Sequence, residues 1–559
     1  MGRLAERVLS RRQVEGLIAA GRTVIILDQN VLQVDAWLKF HPGGDKAILH
    51  MVGRDATDEI NALHSTGARN RMKNFVIGQI KGPWENFLPP LHGGKFRPYI
   101  EGEQVFDEFQ ERAEELSESE SLRTPARSAS PASVFDDDRS FIRDPSVLRR
   151  RQGSPIASSS SSMTSVSMYD ETILDELTRK SIEADLEKYP AIDSETQARI
   201  VKEYRKLGER IRAAGLFNCN YFRYFKEVVR YLIFLSISMY CLHAGWYKTS
   251  ALFLGLFWHQ ITFTAHDAGH MGITHDFHLD TCIGIFIADF CGGLSLGWWK
   301  RSHNVHHIVT NDPEHDPDIE HLPFFAVSHR FFTSLFSTYY DRVMHYDAAA
   351  KVLVRFQNYL YYPVLCLGRF NLYRLSWEYL LVGLGPKKGI AAWHRWLEIS
   401  GMVVFWYWFG YGVIYNGLPS NWDRFVYVMI SHIVTMPLHV QITLSHFAMS
   451  TADLGVGESF AQKMLRTTMD VDCPRWLDFI HGGLQFQAIH HLFPRIPRHN
   501  LRETQRLVME FCKEVGIPYT LYGFYDGNKE VLSHLGEIGK QAAILADCQA
   551  ALLKGEHGH

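Results

Sequence analysis

A chain of 559 residues exceeds one ordinary domain, so two or three folded units are expected. Its 58 basic and 61 acidic side chains leave a net charge of −3, which gives no reason to expect nucleic-acid binding. The eight cysteines are scattered without a Cys-x-x-Cys pair, so neither a disulfide framework nor a zinc site is expected of them; the 28 histidines, by contrast, cluster.

The start, MGRLAERVLSRRQVEGL, has no apolar run behind its basic residues, and no cleaved signal peptide is expected. Residues 1–99 read as a small globular unit: a strand at Thr23–Leu27, a turn, a second strand around Val31–Val34, then helical patterns. Inside it Phe40-His41-Pro42-Gly43-Gly44 is followed by Val52-Gly53-Arg54-Asp55-Ala56-Thr57 and, 23 positions after His41, by His64. Pro42 and the two glycines make a tight turn that aims His41 inward. A haem held between two helices needs one imidazole from each side. With both axial positions filled no iron position is open to oxygen, and one-electron transfer is the task left. Over roughly residues 8–99 the chain resembles cytochrome b5. That resemblance implies an α+β fold, haem b as cofactor and His41 and His64 as its axial ligands.

Residues 100–170, with the acidic run Glu111–Glu120 and the stretch Ser158–Ser162, hold few large apolar side chains and read as a disordered linker. In 171–217 helical periodicity returns, split by Pro190 into two amphipathic helices. Four spans follow within 218–525: Val228–Gly245 and Thr249–Ala265 as one hairpin, Ile399–Leu418 and Phe425–His446 as a second, each close to the ~20 residues a bilayer core requires. Val352–Tyr373, broken by Arg355, Pro363 and Arg369, reads as an interfacial helix. Residues 526–559 are expected to be a soluble tail.

Three histidine clusters adjoin the apolar segments. His266-Asp-Ala-Gly-His270 puts two imidazoles on one helix face, and His303-Asn-Val-His306-His307 offers the same i, i+3 and i+4 spacing. Gln487-Ala-Ile-His490-His491 repeats it with Gln at the first position. Imidazole suits iron, and seven histidines are more than one mononuclear site needs, so two irons are expected. Glu-x-x-His pairs of the carboxylate-bridged type occur only at Glu556–His559, read as a solvated tail. Isolated histidines such as His50, His92, His329, His345, His394 and His534 are expected to be ordinary surface or core residues.

Over roughly residues 220–525 these clusters resemble the membrane fatty-acid desaturase and hydroxylase superfamily. Gln487 together with a fused cytochrome b5 is the front-end desaturase pattern. The resemblance implies O2-dependent catalysis by His266, His270, His303, His306, His307, His490 and His491, an eighth iron ligand at His446, and a weaker role for Gln487 as a ligand or as the holder of a metal-bound water. The expected fold is then an α+β haem domain fused to an all-α polytopic membrane domain of four spans in two hairpins plus interfacial helices. His315 and the carboxylates of Asp312–Asp318 are candidates for orienting the imidazoles; a solvated loop is the alternative.

One metal site needs every cluster on the same membrane face. The apolar run Thr281–Trp299, with Asp289, Gly284, Gly292 and Gly293, must therefore be re-entrant or interfacial. Lys300, Arg301, Arg355, Arg369, Arg374, Lys387 and Lys388 fall on the cluster side, against Lys248 and Arg424 at the hairpin turns, which expects the clusters and haem domain in the cytosol. Without a Gly-x-Gly-x-x-Gly fingerprint, NADH is expected to act through a separate cytochrome b5 reductase. The haem segment Val34–Ile48, the polar spacer and Gln485–Pro494 look most like fungal sphingolipid Δ8-desaturases, which implies a ceramide or sphingoid-base substrate in the endoplasmic reticulum membrane. A Δ6/Δ5-type fatty-acyl desaturase, a lipid hydroxylase and a non-catalytic haem-binding adaptor are the alternatives.

Overall fold

The computed structural model describes the backbone of residues 7–102 and 164–556 and the side chains of 7–102 and 173–551. The acidic run and serine stretch of the expected linker lie outside them. Helix α1 (Arg11–Ala19) opens on a capping box in which Ser10 and Gln13 satisfy each other's backbone N–H. Strands β1 (Val24–Leu27) and β2 (Asn30–Gln33) form an antiparallel hairpin. Its two-residue turn, Asp28 and Gln29, takes positive φ values of 47° and 65°, the twist a tight hairpin needs. A third strand, β3 (Val76–Gln79), pairs with β2; four residues with a central glycine gave the sequence reading no sign of it. Helices α2 (Asp45–Leu49), α3 (Thr57–Leu63) and α4 (Thr66–Met72) follow, with His41 just ahead of α2 and His64 capping the end of α3.

Helices α5 (Thr164–Lys188) and α6 (Ser194–Ala213) flank Pro190. Arg466 ties α5 to the core: buried, it holds Glu458 and Asp185 at 2.8 Å. Helices α7 (Tyr221–His243) and α8 (Tyr247–Gly269) are an antiparallel hairpin, and α13 (His394–Asn416) and α14 (Asn421–Leu444) a second, introduced here with the intervening α9 (Phe277–Ile285), α10 (Leu296–His306), α11 (Gln357–Leu365) and α12 (Gly368–Val382). Among the described residues two helices, α13 and α14, are long and apolar enough to cross a membrane. The first hairpin has the length, but Arg223, Lys226, Glu227 and Arg230 occupy the opening turns of α7. Its outer face is nonetheless apolar, with Phe225, Val229, Leu232 and Ile233 exposed, as Val403, Val404, Tyr407 and Tyr411 are on α13. Gly255 lets α8 and α14 touch: a Cβ there would meet the Ser431 carbonyl and Val434 at 2.6 Å.

The run Phe277–Cys291 turns back by 117° into α10 instead of continuing across. That break leaves carbonyls that no helix bond satisfies, and other helices satisfy them. Trp408 Nε1 donates to the Phe290 carbonyl at 2.9 Å, Trp258 Nε1 to Cys291 at 3.0 Å, and Arg369 to Gly292. Arg369, counted above among the basic residues on the cluster side, is buried with its guanidinium 4.2 Å over the Trp258 ring. The expected C-terminal tail forms α17 (Phe524–Glu556), which follows α15 (Gln487–Leu492) and α16 (Leu501–Val515) and buries Val531, Leu535, Ile538, Ala542 and Leu545 in the core.

Candidate metal centre

The histidines that the sequence singled out converge in two regions, one in each part of the chain. In the N-terminal domain the rings of His41 and His64 face each other with centroids 5.9 Å apart and planes 33° from parallel. The carbonyl of Gly44 holds His41 Nδ1 at 2.7 Å, which leaves Nε2 free to point across. Gly44 can supply that carbonyl because its φ is +87°. Two metal–nitrogen bonds of about 2 Å each, with the ring radii added, come to slightly more than the observed separation, so a small outward shift of the rings admits one metal ion. Burial holds the His64 imidazole down at about 3, in the neutral form that ligates. The pair fits a haem iron.

The second region collects residues from four distant stretches. The last turn of α8 carries His266 and its cap His270; α10 carries His303, His306 and its cap His307; α14 ends just before His446; the short helix α15 carries His490 and His491. His266, His270, His303 and His490 offer ring nitrogens all within 4.8 Å of one another, and His306, His446 and His491 form a second such set. His307 lies between the sets, its Nε2 3.1 Å from that of His303 and its ring stacked at 4.3 Å on His491. His306 and His491 bring their Nε2 atoms to 3.2 Å, the spacing of two ligands on one metal with bonds near 2.1 Å. Buried ring nitrogens of His270, His307, His446 and His490 have no hydrogen-bond partner, which a protein interior tolerates poorly unless something else takes the lone pair. Seven cluster histidines and His446 thus come together, as two groups that share an edge. This donor set fits a pair of metal ions with imidazole ligands.

Neighbouring groups fix how the rings point. Gly269 is small because the Trp299 ring lies against both His266 and His270, edge-on; a Cβ there would sit 2.1 Å from it. Asp316 takes His306 Nδ1 at 2.8 Å and Asp318 takes His303 Nδ1 at 3.4 Å, so each ring turns Nε2 inward. Burial works to lower His306, but the carboxylates of Asp316 and Asp318 outweigh it and raise it. Asn311 donates its N–H to Asp316 at 2.7 Å and its amide to the His446 carbonyl at 2.9 Å, joining two stretches 135 residues apart. Asp470 accepts the Ala488 N–H at 2.8 Å and so seats α15. Gln487 opens that helix, buried, one turn ahead of His490. His315 packs on His92 of the N-terminal part of the chain, its ring stacked at 3.9 Å. Sequence reasoning missed Asn311, Asp470 and Trp299, whose partners lie far along the chain.

The N-terminal domain sits against these same segments. Asp45 of α2 pairs with Arg301 of α10 at 2.7 Å, Gly43 leaves room for Asn304 on that helix, and Ala47 packs on Val305 and Val309. Across the other imidazole, Arg495, four residues past His491, donates to the His64 carbonyl at 3.1 Å.

Comparison with known proteins gives this geometry its family. Residues 244–523 match the fatty acid desaturase family, and residues 10–81 match the cytochrome b5-like haem/steroid binding domain. The chain belongs to the fatty acid desaturase family. It is similar to a Delta 8-(E)-sphingolipid desaturase of Emericella nidulans, 60% identical over 97% of this chain and 96% of that one. A Delta 8-(E)-sphingolipid desaturase of Kluyveromyces lactis is 51% identical over 98% and 95%. The Delta(8)-fatty-acid desaturase of Helianthus annuus is 38% identical over 62% of this chain and 75% of its own. This desaturase is an oxidoreductase with a haem-type domain fused to a mostly helical, histidine-rich domain.

Proposed function

We propose that this desaturase introduces the Δ8 double bond into the long-chain base of sphingolipids, with O2 as co-substrate, using His41 and His64 as the ligands of haem b and His266, His270, His303, His306, His307, His446, His490 and His491 as the ligands of two irons. Convergence of eight imidazoles into two groups joined through His307 is the observation that carries the metal assignment. The near-full-length similarity to two sphingolipid desaturases carries the substrate. Bound here, the irons supply activation of O2 for removing two hydrogens from an unactivated alkyl chain, and the haem supplies electrons singly. The chain does the rest. Asp316 and Asp318 keep Nδ1 of His306 and His303 as the donor side, so that both rings offer Nε2. Burial of His270, His306, His307, His446, His490 and His491 keeps water from competing with the lipid methylene. Gln487, buried one turn before His490, is assigned to a ninth position, as a weak ligand or through a water.

The domain limits proposed are 1–99, 100–170, 171–217, 218–525 and 526–559. The enzyme crosses the endoplasmic reticulum membrane four times as two hairpins, with haem domain and clusters on the cytosolic side. Trp246 and Trp422, exposed at the two hairpin tips, suit the opposite interface. A separate NADH-cytochrome b5 reductase reduces the haem.

Expression in a host lacking the activity, followed by analysis of both sphingoid bases and fatty acyl chains, tests the reading. Sphingoid bases lighter by two hydrogens, with none carrying added oxygen, are expected. A shift confined to acyl chains would reassign the substrate, and added oxygen would make the enzyme a hydroxylase. Replacing His306 or His490 by Ala should abolish product while the haem spectrum persists, and His41→Ala should remove that spectrum.

A further inference from the structure

His50 and His92, read individually as ordinary, come together with His315 outside the sites described above. His50 ends α2 of the haem-type domain, His92 lies on the turn Pro90–His92 that follows it, and His315 lies on the loop between the second histidine cluster and α11. Each offers a ring nitrogen within 4.8 Å of the other two, the same closeness as in the two groups assigned to iron. His50 Nδ1 and His92 Nε2 are 2.7 Å apart, and His92 stacks on His315 with centroids at 3.9 Å. His50 and His315 are 1% and 6% exposed.

The chemistry of this triad suits a cation held by neutral nitrogens. Thr338 engages His315 Nδ1 at 3.0 Å, which directs Nε2 to the cluster. His50 Nε2 is buried without a partner, an arrangement that packing alone does not reward. Burial pushes the His92 imidazole down to about 2 and His50 well below its ordinary value, so both are uncharged at neutral pH. The carboxylate of Asp312 is near enough to act electrostatically on all three rings, and it is held low by His315, Arg330, Lys463 and His92 despite its burial. Three imidazoles with one carboxylate at hand form a nitrogen–oxygen set of the kind that closes a tetrahedral site.

We propose that His50, His92 and His315 bind a zinc ion, completed by Asp312 or a water, that staples the haem-type domain to the loop bearing Asp316 and Asp318. This ion would be a third metal site, chemically separate from the haem and the iron pair. Its place gives it a mechanical role. The loop Asp312–Asp318 orients His303 and His306 through its aspartates and reaches the haem-type domain through His315. Fixing one end of that loop fixes the other.

The test uses full-length enzyme carrying haem and iron, equilibrated with zinc sulfate, desalted and counted for metals. One zinc per chain beside the haem and iron is expected, with loss of that zinc in His50→Gln and in His92→Gln while haem and iron content hold. No zinc in the unaltered enzyme, or undiminished zinc in both variants, would overturn the proposal. Should both variants also lose haem, His306→Ala decides: zinc retained there while iron falls supports the triad, and zinc lost with the iron refutes it. Zinc-edge X-ray absorption of the unaltered enzyme should show imidazole nitrogens at about 2.0–2.1 Å, and sulfur in that shell would sink the assignment.

Discussion

Replacing Asp316 by Asn keeps the size of the side chain and removes its charge, which isolates what the carboxylate does for His306. The carboxylate takes His306 Nδ1 and also accepts the N–H groups of Asn311 and Asp318. An amide has one acceptor oxygen for these three donors and presents its own N–H to one of them. Iron retention against a chelator should fall roughly 10–100-fold, the usual cost of losing such a partner, while the haem absorbance stays unchanged. Seven of the imidazoles were legible in the sequence because i, i+3 and i, i+4 spacing survives any tertiary arrangement, whereas His446, alone in its stretch, was expected only from the family resemblance. Asp316 and Asp318 were visible only as members of an acidic loop, since nothing local tells which carboxylate reaches which ring. His315 belonged to that loop too, yet its neighbours His50 and His92 are remote in sequence and drew it the other way.

Helix α17 carries its own periodic signal: Val531, Leu535, Ile538, Ala542 and Leu545 recur at three- and four-residue steps on a face that the structure buries. Charged residues between them made the segment read as a solvated tail, because periodicity shows that a face exists and not that a partner awaits it. Leu535 is fully buried, and Leu535→Ala should cost about 2–5 kcal/mol, seen as a lower unfolding temperature of the purified enzyme. The bend after Cys291 could be foreseen, because a crossing there would have put the clusters on opposite faces. What stabilises it could not. Trp258, Arg369 and Trp408 come from three separate helices, and only the packed bundle shows that they reach the bare carbonyls.

Docking of the haem-type domain rests partly on Arg301 and Asp45, with side chains 18% and 39% exposed. Arg301→Glu sets two like charges against each other at this contact. Haem reoxidation after addition of lipid and O2, followed by stopped-flow absorbance, should slow roughly tenfold, with the haem spectrum intact. Exchanging the pair, Arg301→Glu with Asp45→Arg, should recover most of the rate; failure to recover would show that the contact does not guide electron delivery. Two domains were plain from the motifs, whereas their mutual placement was not, because docking surfaces leave no periodic mark.

The anchoring of both haem-side imidazole segments, Gly43–Asp45 on α10 and His64 on Arg495, bears on how turnover scales with abundance. A donor carried on the same chain meets its acceptor at an effective concentration set by the fold, not by how crowded the bilayer is. Supply of electrons from haem to iron is then first order in enzyme, and a tenfold dilution into lipid should leave the rate per molecule of that step untouched. An enzyme dependent on a freely diffusing carrier would slow in proportion.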